Sequence, residues 1–261
     1  MASLTSVVKS LARSRSIAFS RDHLRRGWDG TFKTYAWNGY VLNYRPGTSD
    51  AKLIYSILLK GGRKSEYFPP PEFDCDKGAV RTVLDIGANV GIASIYFANM
   101  FPNAKIYAFE PHPGNYEMLR LNTDRVDRIH AFPYALGDAD GELTLFDCAS
   151  PTNYGGASAF DEDIDTGVSV NVPVRHAGRA LGELGLDAID VIKIDTEGAE
   201  WEILTSIDID VLKRVKLIMG EMHGRKDFAL LDYLQPHFRI GMRKTIRSRL
   251  FNFYAVPTES S

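Results

Sequence analysis

The chain has 261 residues, 44% of them hydrophobic and 25% charged, ordinary values for one α/β domain with an extension. A net charge of −2 gives no general reason to bind a polyanion, so no nucleic-acid partner is expected. No apolar run approaches the roughly 20 residues that span a bilayer, so no membrane span is expected.

The N-terminal segment 1–26 carries Lys9, Arg13, Arg15, Arg21, Arg25 and Arg26 against the single acid Asp22. It has the composition of a transit peptide or of a solvated amphipathic helix. The helix is favoured, because no cleavage-like site follows and no secretory apolar core is present. Thr31–Tyr44 is rich in aromatics around Asn38-Gly39, a strong local signal for a hairpin. Thr48-Ser49-Asp50 then precedes the apolar-periodic stretch Ala51–Lys60, which stops at Gly61-Gly62 and so predicts a capped helix. Pro69-Pro70-Pro71 marks a linker, dividing a 1–80 extension from a main domain at 81–261.

From Arg81 onward strands and helices alternate. Strand-like runs occur at Val83–Ile86, Lys105–Phe109, Ile129–Tyr134, Ala188–Ile194, Val215–Met219, Phe238–Met242 and Phe251–Val256. Helical stretches occur at Gly91–Met100, Pro113–Leu121, Ala199–Ile207 and Arg225–Leu234. The pattern predicts βαβ units and a mostly parallel sheet whose last two strands pair antiparallel at one edge. Between Gly141 and Arg175 the rhythm breaks into two strand-like runs, Glu142–Phe146 and Val168–Val174, joined by a Gly, Ser and Asn-rich loop at Pro151–Ser158. This reads as an inserted hairpin on the substrate side. Cys75 and Cys148 lie far apart with no His or Cys at metal spacing, so free thiols in a reducing, cytoplasmic setting are expected.

Four segments carry chemistry. In Asp85-Ile86-Gly87-Ala88-Asn89-Val90-Gly91 an apolar strand ends in an acid and a small-residue turn feeds a helix. Gly87 and Gly91 let the backbone approach a ligand, and the helix N-terminus offers free N–H groups to a carboxylate. Asp85 is placed to accept from an ammonium or to orient the loop. Glu110, followed by Pro111, stands 25 positions after Asp85 at the next strand end, where an acid can accept from a ribose diol. A dinucleotide fingerprint would need glycines at the third and sixth places from Gly87, but Asn89 and Ile92 stand there. An NAD(P)-dependent oxidoreductase is therefore the weaker reading, and a cofactor without a pyrophosphate, such as S-adenosylmethionine, fits better.

The third segment, Lys193 to Glu200, brings Asp195 and Glu197 to a strand exit; the fourth, Met219 to His223, brings Glu221 and His223 to the exit of the following strand. These four side chains are expected to converge on one cleft. There a carboxylate or the imidazole could take a proton from a hydroxyl, or the group could hold a divalent ion such as Mg that lowers the hydroxyl's pKa. Both options remain open.

Together the segments resemble the FkbM family of methyltransferases. The resemblance rests on Asp85–Gly91, Phe109-Glu110-Pro111, Ala135-Leu136-Gly137-Asp138 and above all Lys193-Ile194-Asp195-Thr196-Glu197-Gly198-Ala199-Glu200. Thr196 departs from the valine often found there. The resemblance implies a class I methyltransferase fold, a Rossmann-like seven-stranded sheet with a reversed last strand and helices on both faces. It also implies S-adenosylmethionine over Gly87, Ala88, Asn89 and Gly91, ribose on Glu110, and the adenine amino group near Asp138. By the same resemblance, the acceptor is a hydroxyl of a secondary metabolite or glycan. A non-catalytic module that binds the cofactor is the remaining alternative, and the oligomeric state is not legible.

Overall fold

The protein was analysed as a computed structural model, which describes residues 3–146, 169–223, 226–244 and 251–258. The basic N-terminus forms two helices, α1 (Leu4–Ser14) and α2 (Ile17–Leu24), where one was expected. Arg15 takes a left-handed conformation with φ 52° that closes α1, and the Ser16 hydroxyl caps α2 by accepting from the Phe19 N–H. Nothing in Ser14-Arg15-Ser16 announces the break as a glycine or proline would.

The Asn38-Gly39 hairpin forms as β1 (Lys33–Trp37) and β2 (Tyr40–Tyr44), with both turn residues at positive φ. The Thr48 side chain caps α3 (Ser49–Leu53) by accepting from the Asp50 N–H, and the helix continues as a π-helical segment over Ile54–Leu59. Asp50 is fully buried and takes bonds from the Arg45 N–H at 2.9 Å, Nε at 2.8 Å and Nη2 at 2.9 Å. Arg45 Nη2 also donates to Asn115 Oδ1 at 3.0 Å, which ties the extension to the main domain.

The main domain runs β3 (Thr82–Ile86), α4 (Ile92–Met100), β4 (Lys105–Phe109), α5 (Pro113–Thr123), β5 (Ile129–Phe132), β6 (Ala135–Gly137), β7 (Gly141–Phe146) and β8 (Ser169–His176). It continues through α6 (Ala177–Glu183), β9 (Val191–Ile194), α7 (Glu200–Thr205), α8 (Ile209–Leu212), β10 (Leu217–Met222), α9 (Asp227–Leu234), β11 (Phe238–Lys244) and β12 (Phe251–Pro257). Seven strands form one sheet in the order β11-β12-β10-β9-β3-β4-β5. From β10 to β5 the neighbours are parallel, and β12 runs antiparallel to both β10 and β11. This is the class I methyltransferase arrangement with its reversed last strand.

Each face of the sheet has its own apolar layer, as helices on both faces require. Ile92, Ile95 and Phe97 of α4 and Leu119 of α5 cover one face; Leu181 of α6, Ile203 of α7 and Leu230 of α9 cover the other. Phe19, Leu42, Tyr44 and Ile54 of the extension belong to the first layer, so its described residues share a core with the main domain. The insertion is more than a hairpin. Strand β8 pairs antiparallel with β7 and parallel with β6, giving a separate three-stranded sheet. Cys148, the loop at 151–158 and Arg225 lie outside the described residues. Among the described residues, no helix is long and apolar enough to cross a membrane.

Candidate active site

A cavity of about 390 Å³ opens at the C-terminal ends of β3, β4 and β9, where open α/β sheets hold ligands. Gly87, Ala88, Asn89, Glu110, Pro111, Asp138, Asp195 and Glu197 line it, as do Leu53, Ile57 and Tyr67 of the extension. Gly141, Glu142, Leu143, Leu145 and Val174, from the insertion, complete the lining.

The loop after β3 is held close to both neighbouring strands. The N–H groups of Gly87 and Ala88 donate to the Phe109 carbonyl at 3.0 and 2.9 Å, and Asp195 N–H donates to the Ile86 carbonyl at 3.1 Å. Gly87 has φ +76°, and a Cβ there would lie 1.9 Å from the Asp195 carbonyl oxygen. Only glycine permits this approach. Gly91 has a different reason. It also has positive φ, but a Cβ would strike Leu119 Cδ1 at 2.7 Å, and the residue does not line the cavity. Its task is the packing of α4 on α5.

Glu110 is 6% exposed and lines the cavity at the end of β4. Its Oε2 accepts from Asn89 N–H at 2.8 Å and its Oε1 from His112 N–H at 2.9 Å. Burial pushes its pKa up to about 7 against the opposing effect of these two bonds. Each oxygen keeps a lone pair for a further donor.

Asp85 requires a correction. Of the two roles expected for it, contact with a ligand ammonium and orientation of the loop, the first is not met, because Asp85 is fully buried and does not line the cavity. Its Oδ2 accepts from the Ser94 hydroxyl at 2.6 Å, and its Oδ1 lies 3.1 Å from Lys193 Nζ. Lys193, on the adjacent strand and 2% exposed, also donates to the carbonyls of Gly87 at 2.6 Å and Ile86 at 3.2 Å. Burial opposes its charge, yet Asp85 and Asp195 outweigh burial and raise its pKa. The ammonium that Asp85 meets is thus the protein's own, and its function is to hold the glycine loop.

The β9 and β10 exits bring Asp195, Glu197, Glu221 and His223 together. His223 Nε2 lies 3.4 Å from Glu221 Oε2, 3.6 Å from Asp195 Oδ1 and 3.8 Å from Glu197 Oε2. Its Nδ1 contacts Glu200 Oε1 at 3.3 Å. Glu200 Oε1 in turn accepts from the N–H and hydroxyl of Thr196, at 2.9 and 3.2 Å; the hydroxyl contact is one that valine at 196 could not make. Glu197 adopts φ 57°, uncommon for a residue with a side chain, and its half-exposed carboxylate reaches the cavity. Burial disfavours a charge on His223, but Glu200 and Glu221, with the fields of Asp195 and Glu197, push its pKa up to about 11. The surrounding carboxylates thus favour the protonated imidazole, and neither it nor Glu221 lines the cavity.

Several contributors escaped sequence reasoning. Tyr67 donates to Asp195 Oδ2 at 2.8 Å across 128 residues of chain, and Asn252 Nδ2 donates to Glu221 Oε1 at 3.1 Å. Neither lies in a motif. Asn122 donates to the Val90 carbonyl at 2.7 Å and accepts from Asn43 N–H at 2.6 Å, so it clamps the glycine loop to the extension.

Residues 85–252 match the family model of the methyltransferase FkbM domain. The chain is 28% identical to the AMB antimetabolite synthetase AmbE of Pseudomonas aeruginosa over 67% of its own length and 10% of AmbE's. It is 27% identical to the 2-O-methyltransferase NoeI of Sinorhizobium fredii, covering 60% of this chain and 72% of NoeI. The solved FkbM methyltransferase of Methylobacillus flagellatus KT superposes with a TM-score of 0.51 at 19% identity, over 72% of this chain and 46% of that one. The chain therefore spans a small part of one relative and most of another, while the matched region holds Glu110, Asp195, Glu197, Glu221 and His223. With a matching domain over most of the main sheet and the same fold in a solved member, the chain belongs to the FkbM methyltransferase family.

Proposed function

We propose that this chain transfers a methyl group from S-adenosylmethionine to a hydroxyl oxygen of a small molecule or glycan. The observation that carries the reading is the adjacency of two kinds of strand exit around one cavity. The β3 and β4 exits present a glycine cradle and a buried carboxylate, and the β9 exit presents Asp195 and Glu197. The missing Cβ at Gly87 lets the Asp195 backbone close against the loop that lines the cavity, Glu110 has acceptors for a ribose diol, and Asp138 lines the same cavity and is assigned to the base. S-adenosylmethionine supplies an electrophilic methyl on sulfur.

Glu197 is the best-placed proton acceptor, because it lines the cavity and burial raises its pKa above that of an ordinary glutamate. In the step proposed, the acceptor oxygen bonds to the methyl carbon as the carbon–sulfur bond breaks. The hydroxyl proton passes to Glu197, and neutral S-adenosylhomocysteine leaves. Asp195 is held by Tyr67 and positions the acceptor. Leu53, Ile57 and Tyr67 of the extension and Leu143, Leu145 and Val174 of the insertion line the cavity and are assigned to the acceptor. NoeI, by its name a 2-O-methyltransferase, supports a hydroxyl acceptor.

The test is S-adenosylhomocysteine formation from methyl-labelled cofactor across a panel of sugars and small hydroxylated metabolites. Glu197→Gln should lower turnover roughly 10²–10⁴-fold, the usual contribution of general-base catalysis, with cofactor affinity retained. Tight cofactor binding with no label transferred to any member of a broad panel would favour the non-catalytic module instead.

A further inference from the structure

We infer that Asp195, Glu197, Glu221 and His223 form a binding site for a divalent cation with a preference for oxygen ligands, Mn²⁺ being the suitable probe. The catalytic consequence rests on the methyl-transfer reading above, since the ion would sit beside the acceptor hydroxyl; the binding itself does not depend on it. Among the described residues, a ligand atom from each of Asp195, Glu197 and His223 lies within 4.8 Å of the others.

The distances argue for a shared centre rather than for hydrogen bonds. Ligands about 2.1 Å from an ion stand roughly 3.0 Å apart at an octahedral edge and roughly 3.4 Å apart at a tetrahedral one. The separations of 3.4, 3.6 and 3.8 Å from His223 Nε2 to the three carboxylate oxygens are at or slightly beyond those values. They are long for N–H···O bonds, and one Nε2 proton cannot serve three acceptors. The His223 side chain is 6% exposed, so water does not relieve the mismatch.

A second observation is independent of the cluster. Three of its members have the ligand-competent atom turned inward and the other polar atom secured by a residue outside the group. Asp195 presents Oδ1 while Oδ2 accepts from Tyr67; Glu221 presents Oε2 while Oε1 accepts from Asn252; His223 presents Nε2 while Nδ1 pairs with Glu200. This is the arrangement by which outer partners aim metal ligands, including the carboxylate–histidine pairing that fixes the ring. One imidazole and three carboxylates make a hard, oxygen-rich set, which favours Mn²⁺ over thiophilic ions. With the ion bound, the imidazole is neutral, and the positive charge beside the acceptor hydroxyl lowers its pKa.

The experiment is titration of Mn²⁺ into the chelator-stripped chain, with free Mn²⁺ read by electron paramagnetic resonance. One Mn²⁺ per chain is expected, with affinity at least about tenfold weaker in Glu221→Gln. Tyr67→Phe, which keeps the ring and removes the hydroxyl that donates to the outer oxygen of Asp195, should weaken it by roughly 10–100-fold while the chain still unfolds cooperatively. No saturable Mn²⁺ binding, or binding indifferent to both substitutions, overturns the proposal. Turnover that is lost in chelator and restored by Mn²⁺ supports the catalytic consequence; full turnover in chelator overturns that consequence while leaving methyl transfer intact. Mn²⁺ bound at this site without methyl transfer to any acceptor would support the site and count against the enzymatic reading alone.

Discussion

Replacing Glu110 with glutamine keeps the volume of the side chain and removes its charge, and this should move stability and cofactor affinity in opposite directions at alkaline pH. A free glutamate ionises near 4.5, whereas the buried Glu110 does so at about 7. Between those values the unfolded chain has released a proton that the folded chain retains. The stabilising contribution of the neutral form is therefore fully present below 4.5, declines as pH rises and is gone above 7. At about 1.4 kcal/mol per unit, the wild type should lose roughly 2–3 kcal/mol relative to Glu110→Gln between pH 5 and pH 8. Urea unfolding of both proteins at the two pH values measures this directly, because other titrating groups cancel in the comparison.

Binding should go the other way. The ionised carboxylate can accept both ribose hydroxyls, and a hydrogen bond to a charged group is worth about 1.5–3 kcal/mol. Glutamine keeps one acceptor oxygen and turns an NH₂ toward one of the backbone donors, Asn89 or His112. Loss of one such bond weakens S-adenosylmethionine roughly 10–100-fold at pH 8 by calorimetry. Wild-type affinity should also fall about tenfold per unit as pH drops below 7, with a flatter profile in the variant. Equal affinity in the two proteins at pH 8 would refute the assignment of Glu110 to the ribose. A stability difference that ignores pH would refute the buried, titrating carboxylate.

Two further substitutions probe how the loop is held. Lys193→Met leaves the fully buried Asp85 charge without its partner and should cost about 3–5 kcal/mol in chemical denaturation; Asp85→Leu in the same chain should recover most of it, and additive losses would show that the pair is uncoupled. Gly87→Ala puts a methyl 1.9 Å from the Asp195 carbonyl at φ +76°, so cofactor affinity should fall at least about tenfold by calorimetry, and wild-type affinity would mean the cradle does not hold the ligand.

The sheet was readable because its central strands are buried on both faces. Val191, Ile192, Lys193 and Ile194 are all buried, and such strands appear as short apolar runs between helices. The convergence of Asp195, Glu197, Glu221 and His223 followed from the parallel pairing of β9 with β10, since adjacent parallel strands end side by side. Which of the two roles open to Asp85 applies was not legible, for a related reason. Its counterpart Lys193 is opposite it in the β3–β9 register, and register between strands more than 100 residues apart is a tertiary fact. Helix α6 escaped notice because Gly178 and Gly182 interrupt its short pattern. Tyr67 and Asn252 reach the cluster only through packing of the extension and the last strand, which no local spacing encodes.

The electrostatics of the exit tie these parts together. Four carboxylates, Asp195, Glu197, Glu200 and Glu221, face two cations, Lys193 and His223, which offset them only in part, and the two cations are not equivalent. Lys193 contacts Asp85 and the loop carbonyls and remains 4.0 Å from Asp195 Oδ2, so it belongs to the scaffold. Among the described residues His223 is the cation that faces the inward-turned acids, and its ring can lose its charge without breaking the loop. An excess of negative charge beside the cavity favours a sulfonium over a neutral thioether, so the same field that draws in the methyl donor helps release its product. A divalent ion in place of the imidazolium proton would supply one more positive charge and reduce that excess. Metal occupancy should then weaken the preference for the sulfonium over the thioether. The ratio of S-adenosylmethionine to S-adenosylhomocysteine affinity, measured with and without Mn²⁺, is where the two roles of the acids meet.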